Sequence, residues 1–192
     1  MYSEKYKCNF EIWEGVPRID MGGTALRGLI LDKLDLEAKN FLRNSSDSEV
    51  ERNLPGVFVK NEKEAHKVLL KFIDRFILKS GILFSVVLKE NNIPIGYVAC
   101  NSPKLKFKDR DEEIGEWSID FWVFEKARNK GIMTAAVYNT LAYLQEMGVS
   151  TIYAFVDKEN IASMEVLKKC SMSLVEDTGD GKMFKFMVRT KQ

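Results

Sequence analysis

Hydrophobic spacing changes period several times along the chain, and its longest coherent run lies between Glu113 and Gly148. Ile114, Trp117, Ile119, Phe121 and Val123 form a near-alternating apolar series, the pattern of a buried strand. After a polar break, Met133, Val137, Leu141 and Leu144 recur at helical spacing, flanked by Ala136, Thr140, Tyr143 and Met147. Gly148 stands where a helix-terminating glycine belongs. The break, Arg128-Asn129-Lys130-Gly131-Ile132-Met133-Thr134, thus delivers a strand to a helix N-terminus. Unpaired backbone N–H groups and the positive end of the helix dipole converge there, and such points bind phosphate. Gly131 lets a ligand approach the backbone, and Arg128 and Lys130 add charge at the mouth.

The flanking pattern predicts a strand over residues 25–31 and a helix over 32–42, with Leu34, Ala38, Phe41 and Leu42 on one face. Residues 44–53 are polar and serine-rich and predict a loop, and Leu54-Pro55-Gly56 a turn. The stripe Ala65, Leu69, Phe72, Ile73, Phe76 and Ile77 predicts a helix over 62–79, closed by Gly81. Strands over 82–89 and 93–100 follow, joined through Glu90-Asn91-Asn92. After a charged connection at 103–111 and the central unit come a strand at 151–156 and a helix at 160–170. A hairpin of 172–176 with 182–189 turns at Thr178-Gly179-Asp180-Gly181. Phe10, Ile12 and Trp13 suit a short edge strand ended by Gly15 and Pro17. The element order is strand, two helices, three strands, helix, strand, helix, two strands. We expect one mixed α/β domain over 1–192, with 1–20 as an N-terminal extension.

Composition narrows the function classes. With 192 residues, 45% hydrophobic and 30% charged, the chain can build a sizeable core. A formal net charge of +1 and the lack of a basic stripe interleaved with aromatics argue against nucleic acid as a partner. No apolar run approaches a membrane span. Cys8, Cys100 and Cys170 are odd in number and lack metal-ligand spacing, so we expect reduced thiols, no metal and a cytoplasmic protein.

The central loop is neither a P-loop, which needs Gly, four residues and Gly-Lys-Ser/Thr, nor the three-glycine dinucleotide fingerprint. Arg128-x-x-Gly131, entered from a strand and opening a long helix, resembles the acyl-CoA loop of the GNAT superfamily of N-acetyltransferases. Met133 stands where Gly or Ala is usual, and Gly-Ile-Met-Thr is similar to the branch of the RimJ/RimL ribosomal-protein N-terminal acetyltransferases. The resemblance covers roughly residues 24–190 and includes Leu26-Arg27 and Ile95-Gly96. It implies a central, mostly antiparallel, twisted sheet with one splayed parallel pair and helices on both faces. Acetyl-CoA is the implied cofactor, held by Phe121, Trp122, Val123, the residues from Arg128 to Thr134, and Asn160 and Ser163.

Read alone, Asn160 is a helix N-cap with Ser163 near the third helical position. The resemblance adds that Asn160 contacts the pantetheine arm. The tyrosine that often protonates the departing thiolate is Leu167 here, and Ser163 occupies the place of the donor proposed for the RimJ/RimL-like branch. The usual Gly-Phe after this helix is Ser171-Met172. A thiol of pKa about 8.5 leaves with modest help, so a missing general acid costs no more than ~10²- to 10⁴-fold. Backbone N–H groups near Phe121 to Val123, where the strand splays or bulges, resemble the family's oxyanion donors.

Alternation puts Glu116, Ser118, Asp120 and Trp122 on one face of the central strand. Glu116 resembles in position the family's strand glutamate, acting directly or through water, and Asp120 is the second candidate base. The sole histidine, His66, reads as a bystander on the polar side of its helix. An α-amino group of pKa about 7.7–8.0 needs about 1 kcal/mol to be neutral at pH 7, and a lysine amine near 10.4 roughly 4 to 5 kcal/mol. Scarce bases therefore favour a protein or peptide N-terminus as the amine acceptor. A small amine such as a polyamine or aminoglycoside, and a non-catalytic CoA-binding protein, remain the alternatives. Monomer and homodimer are both compatible with the chain, an exposed Trp13 or Phe10 being able to join a dimer.

Overall fold

Eight strands form one sheet in the order β1-β2-β3-β4-β7-β8-β10-β9, with a separate pair β5-β6. The computed structural model describes residues 15–103, 106–107, 110–113, 116–177 and 183–189. In chain order the elements are β1 (Ile19–Asp20), β2 (Thr24–Arg27), α1 (Leu34–Ser45), α2 (Ser48–Asn53), α3 (Glu62–Ile77), β3 (Gly81–Leu88), β4 (Pro94–Asn101), β5 (Lys106–Phe107) and β6 (Arg110–Glu113). There follow β7 (Trp117–Val123), α4 (Ile132–Glu146), β8 (Thr151–Asp157), α5 (Ile161–Lys169), β9 (Ser173–Asp177) and β10 (Met183–Arg189). Within the large sheet every neighbouring pair is antiparallel except β7 with β8. The expected mixed α/β architecture, with one parallel pair, is what the chain adopts.

Each face of the sheet carries its own core. On one, α4 and α5 bury Met133, Val137, Leu141, Leu144 and Leu167 against Val98, Ile119, Ile152, Ala154 and Phe186. On the other, α1, α2 and α3 bring Phe41, Val50, Leu69 and Phe72 against Leu83, Tyr97, Ala99 and Trp122. The rings of Phe41, Tyr97 and Trp122 meet pairwise at 5.0, 5.3 and 5.9 Å. Each such buried side chain contributes about 1.5–3 kcal/mol, which commits β7 to this sandwich from both sides. Gly96 on β4 completes the clamp: a Cβ there would stand 2.7 Å from the Trp122 carbonyl oxygen and 3.2 Å from Met133 Cε.

The structure differs from the sequence reading at several points. Residues 48–53 are not loop but the helix α2, capped by Asp47, whose carboxylate accepts from the N–H groups of Glu49 and Val50. The strand expected over 25–31 is β2 and ends at Arg27, and the helix expected over 32–42 begins at Leu34 after a 3-10 turn. Part of the charged connection is the β5-β6 pair, so the central strand starts only at Trp117. Gly81 does not close α3. Lys79 does so at φ 56°, the Ser80 N–H reaching back to the Arg75 carbonyl, and Gly81 opens β3. The expectations for Phe10, Ile12, Trp13, Cys8, Ile114 and the turn at 178–181 lie outside the described residues.

The two helices beside the parallel pair end alike. Gly148 takes φ 84° after α4, with Val149 N–H on the Leu144 carbonyl at 2.9 Å. Ser171 takes φ 61° after α5, with Met172 N–H on the Leu167 carbonyl at 3.0 Å. These are Schellman closures, and the second lacks the glycine that makes them inexpensive. Ser171 is solvent-exposed. Ser171→Gly should therefore stabilise the fold by about 0.5–1 kcal/mol. The urea midpoint should rise with an unchanged slope, and a lowered midpoint would contradict the strain argument.

Candidate active site

The parallel pair is short. β7 meets β8 only at Trp117 with Ile152 and Ser118 with Tyr153, yet β7 runs on to Val123 and β8 to Asp157. The strands therefore diverge along their C-terminal halves. Continuous pairing with β4 along residues 118–123 shows no bulge in β7, so the opening is made by splaying alone. The Phe124 N–H bonds to the Ile95 carbonyl on the β4 side. By strand alternation the backbone groups of Trp122 and Asp120 point that way too, and those of Phe121 and Val123 point into the gap. The gap is the floor of a cavity of about 690 Å³, reached by 119–123, 127–134, 154–157 and the first turns of α5.

At one end of this cavity lies the loop singled out by its sequence. Asn129 (φ 60°) and Gly131 (φ 72°) both take the left-handed conformation, which turns the chain sharply into α4. Gly131 is the N-cap and supplies no side-chain cap. The first backbone bond of the helix runs from Ala135 N–H to the Gly131 carbonyl. The N–H groups of Ile132, Met133 and Thr134 consequently precede the ladder and face the cavity mouth. A Cβ on Gly131 would meet nothing within 4 Å, so the backbone stands open to a ligand. Turn, N–H groups and helix dipole together make an anion cradle.

Arg128 does not stand free at this mouth as expected. Its guanidinium pairs with Asp47 Oδ2 at 2.7 Å and Glu49 Oε2 at 3.0 Å, tying the loop to α2. Lys130 is exposed and lines the cavity. Trp122 also reaches the cavity lining. Its indole is 5% exposed within the α1–α3 core and donates to Ser45 Oγ at 2.9 Å, so its side chain belongs to the core.

Across the gap, Asn160 caps α5, its Oδ1 accepting from Ser163 N–H at 3.1 Å. Both residues line the cavity, and the Ser163 hydroxyl stands on the helix turn nearest the splay. Leu167 is buried, so the position where the family often has a tyrosine is part of the core here.

The two candidate bases separate. Glu116 precedes β7, does not line the cavity, and pairs with Lys185 Nζ at 3.4 Å, which also lies 4.0 Å from the centre of the Tyr153 ring. The Tyr153 hydroxyl is pushed up by burial and by its hydrogen bond to Glu116. Asp120 lines the cavity. Burial drives its carboxyl above the usual range, while the Asn101 Nδ2–H bond and the positive charge of Arg75 pull the other way. Of the two, Asp120 lines the cavity, and Glu116 is held outside it by Lys185. His66 pairs with Asp35 at 2.9 Å, away from the lining residues.

Sequence reasoning missed Glu49 and Val50 in the lining, and Asn101, which holds Asp120 from behind without lining the cavity. Asn101 sits opposite Ser118 in the β4-β7 register, a pairing that no local pattern announces. For α2 the signal was present in Asp47 followed by Glu49 and Glu51, a capped, acidic first turn.

Residues 28–173 match the family model described as the acetyltransferase (GNAT) domain. The chain is 30% identical over 131 residues to the uncharacterized N-acetyltransferase YnaD of Bacillus subtilis (strain 168), covering 67% of this chain and 68% of that protein. The fold matches a GNAT-family acetyltransferase from Bacillus anthracis with a TM-score of 0.67, 20% identity and coverage of 90% and 98% of the two chains. It also matches RimL, the ribosomal L7/L12 alpha-N-protein acetyltransferase in complex with coenzyme A, at TM-score 0.71, 14% identity and coverage of 90% and 98%. The chain belongs to the GNAT acetyltransferase family. It is an acetyltransferase, and its cofactor is acetyl-CoA. Among the described residues no helix is long and apolar enough to cross a membrane.

The cradle fits the phosphates of this cofactor, and the unpaired edge of β7 fits its amide-bearing arm. Gly131→Ala should weaken coenzyme A binding about ten-fold and cost about 1–2 kcal/mol of stability, through strain at positive φ and a methyl group in the cradle. Calorimetric titration checks this, and unchanged affinity in a folded variant would remove the loop from the cofactor site.

Proposed function

We propose that this enzyme acetylates a primary amine, preferentially the α-amino group of a protein or peptide N-terminus, in the manner of the RimJ/RimL branch. The observation that carries the reading is a cavity-lining carboxylate on β7, Asp120, whose pKa burial raises, on the strand that splays between the anion cradle and Ser163. When bound, acetyl-CoA supplies a thioester whose carbonyl is open to an amine and whose thiolate departs. The loop from Arg128 to Thr134 holds phosphate, chiefly through the N–H groups of Ile132, Met133 and Thr134. Phe121 and Val123 present backbone groups to the arm and to the carbonyl oxygen as charge develops on it. Asn160 orients the arm from its cap position. Asp120 would take one proton from the acceptor ammonium, and the second, released as the nitrogen–carbon bond forms and the carbon–sulfur bond breaks, would restore the one Ser163 gives to the leaving sulfur.

Acceptor choice follows from charge. Of the cavity-lining carboxylates besides Asp120, Glu49 pairs with Arg128 and Glu165 with Lys168, and Asp157 accepts from the Glu159 N–H, so two of the three are neutralised by a cation, which disfavours an acidic trough suited to a polyamine. A single base raised by burial is matched to an ammonium of pKa about 7.7–8.0 far better than to one near 10.4. The fold likeness to RimL is compatible with this acceptor class, and the local sequence Gly131-Ile132-Met133-Thr134 with Asn160 and Ser163 favours the same branch.

The test follows thiol release from acetyl-CoA with N-terminal peptides, polyamines and aminoglycosides, beside a control without acceptor. Acceptor-dependent release on the peptides is expected. Turnover confined to polyamines or aminoglycosides would overturn the acceptor assignment. Asp120→Asn should lower kcat/KM by ~10²- to 10⁴-fold, and Glu116→Gln should change it less than about three-fold. The acid limb of kcat/KM should lie above the ordinary carboxylate value of about 3.9, because activity needs ionised Asp120 and burial raises its pKa. The profile should stop rising by about pH 8. A profile still rising past about pH 9, with lysine side chains as good as N-termini, would refute the preference for α-amines.

A further inference from the structure

The cavity is lined from both faces of the sheet. Ile119, Ala154 and Val156 line it and belong to the core under α4 and α5, whereas Trp122 lines it from the core under α1, α2 and α3. Strand alternation turns Asp120 to the face of Trp122, and turns Phe155 to the face of Tyr153, away from Ala154 and Val156. These two are one face, because Tyr153 is hydrogen-bonded to Glu116, which alternation groups with Asp120. The splay is therefore a passage through the sheet. The anion cradle and Ser163 stand on the side of α4 and α5, and Asp120 and Phe155 are turned to the other. An amine that gives its proton to Asp120 comes from that second face.

Beside Asp120 such an amine meets an uncovered aromatic ring. The last pair of the parallel register joins Ser118 to Tyr153, and two residues further along each strand come Asp120 and Phe155, both in the lining. Phe155 is on an inner strand, since β8 is flanked by β7 and β10, yet it is 42% exposed. Among the described residues, the core under α1, α2 and α3 takes no side chain from β8 or β10. A ring left to water in mid-sheet holds hydrophobic free energy that is released only when a ligand covers it.

The neighbour of this ring limits what can cover it. Lys185 stands opposite Phe155 in the β8-β10 register. Its ammonium lies 5.8 Å from the centre of the Phe155 ring and 4.0 Å from that of Tyr153, and pairs with Glu116 at 3.4 Å. A second cation laid on Phe155 would meet a ring whose attraction is already shared, and the repulsion of Lys185 besides. An apolar side chain meets neither.

We propose that Phe155 is a specificity-determining residue, its ring seating the side chain of the acceptor's first residue and favouring an apolar one, with Lys185 turning away a cationic one. The inference rests on the functional reading above and deepens it by naming the class of N-terminus. An α-amine and its side chain branch from one carbon. Paired strands lie about 4.8 Å apart and splayed ones farther, so a nitrogen at Asp120 on β7 leaves its side chain to bridge toward β8, where Phe155 stands. A linear polyamine would bring a further cation to the same place.

The experiment measures kcat/KM for peptides identical but for a first residue of leucine, glycine or lysine. Wild type should favour leucine over glycine by about ten-fold, and over lysine by at least as much. Phe155→Ala should bring the leucine-to-glycine ratio within about two-fold through the peptide KM, with the acetyl-CoA KM also held within about two-fold. Phe155→Leu, which keeps an apolar seat, should retain most of the ratio. Lys185→Met should improve the lysine peptide relative to the leucine peptide by about five-fold or more. A folded Phe155→Ala with the wild-type ratio, or one that loses acetyl-CoA affinity in place of the ratio, would overturn the assignment. Unchanged rejection of lysine in Lys185→Met would overturn the part given to Lys185. Should the variants not fold, the wild type decides: leucine and glycine peptides turned over equally well would overturn the assignment and leave the acetyltransferase reading intact. Absence of turnover on every N-terminal peptide would sink the functional reading and this one with it.

Discussion

A strand in mid-sheet has two hydrogen-bonding edges, and the architecture around β7 depends on only one of them being used over its C-terminal half. Its edge toward β4 is paired without interruption from Ser118 to Val123. Its edge toward β8 is paired at two positions and then released. Unpaired backbone groups in a dry interior are expensive, so the divergence is tolerable only because it opens onto a cavity where a ligand can meet them. The two cores hold the rest of the strand in place. Gly96 keeps β4 close enough that the paired edge does not follow the other outward.

Charge is distributed about that opening with little to spare. The backbone of the loop provides the anion cradle, and its nearest guanidinium is already shared between Asp47 and Glu49. On the far side of the sheet Glu116 and Lys185 satisfy one another. At the gap Asp120 is kept from easy ionisation by burial and returned toward it by Asn101 and Arg75. The net displacement is upward, so burial is the larger influence, and Asn101 and Arg75 temper it.

Much of this was legible in the chain because the central strand, loop and helix carry strong periodic signals. The apolar stripe of α4 named in advance is the one that is buried, and Gly148 ends the helix as its position suggested. The alternation on β7 was also sound: Ser118, Asp120 and Trp122 share a face. What alternation cannot say is which stretch of a face is covered. Helices α1 and α3 close over Trp122 and leave Asp120 at the opening, a distinction made by packing between residues some 80 positions apart in the case of Trp122 and Ser45. The helix α2 escaped because six residues, five of them polar around one buried anchor, Val50, present no period. Arg128 looked free because its two partners lie on that unrecognised helix.

The ion pairs of Arg128 join the loop on one side of the sheet to the cap of α2 on the other, since Asp47 both holds the guanidinium and caps the helix. Two places that share one residue cannot be perturbed separately. An anion that draws Arg128 toward itself takes support from α2, and whatever steadies α2 alters the hold on the anion by the same factor. Binding at the loop and the firmness of a helix across the sheet thereby become one property, held in a contact that touches no reacting atom.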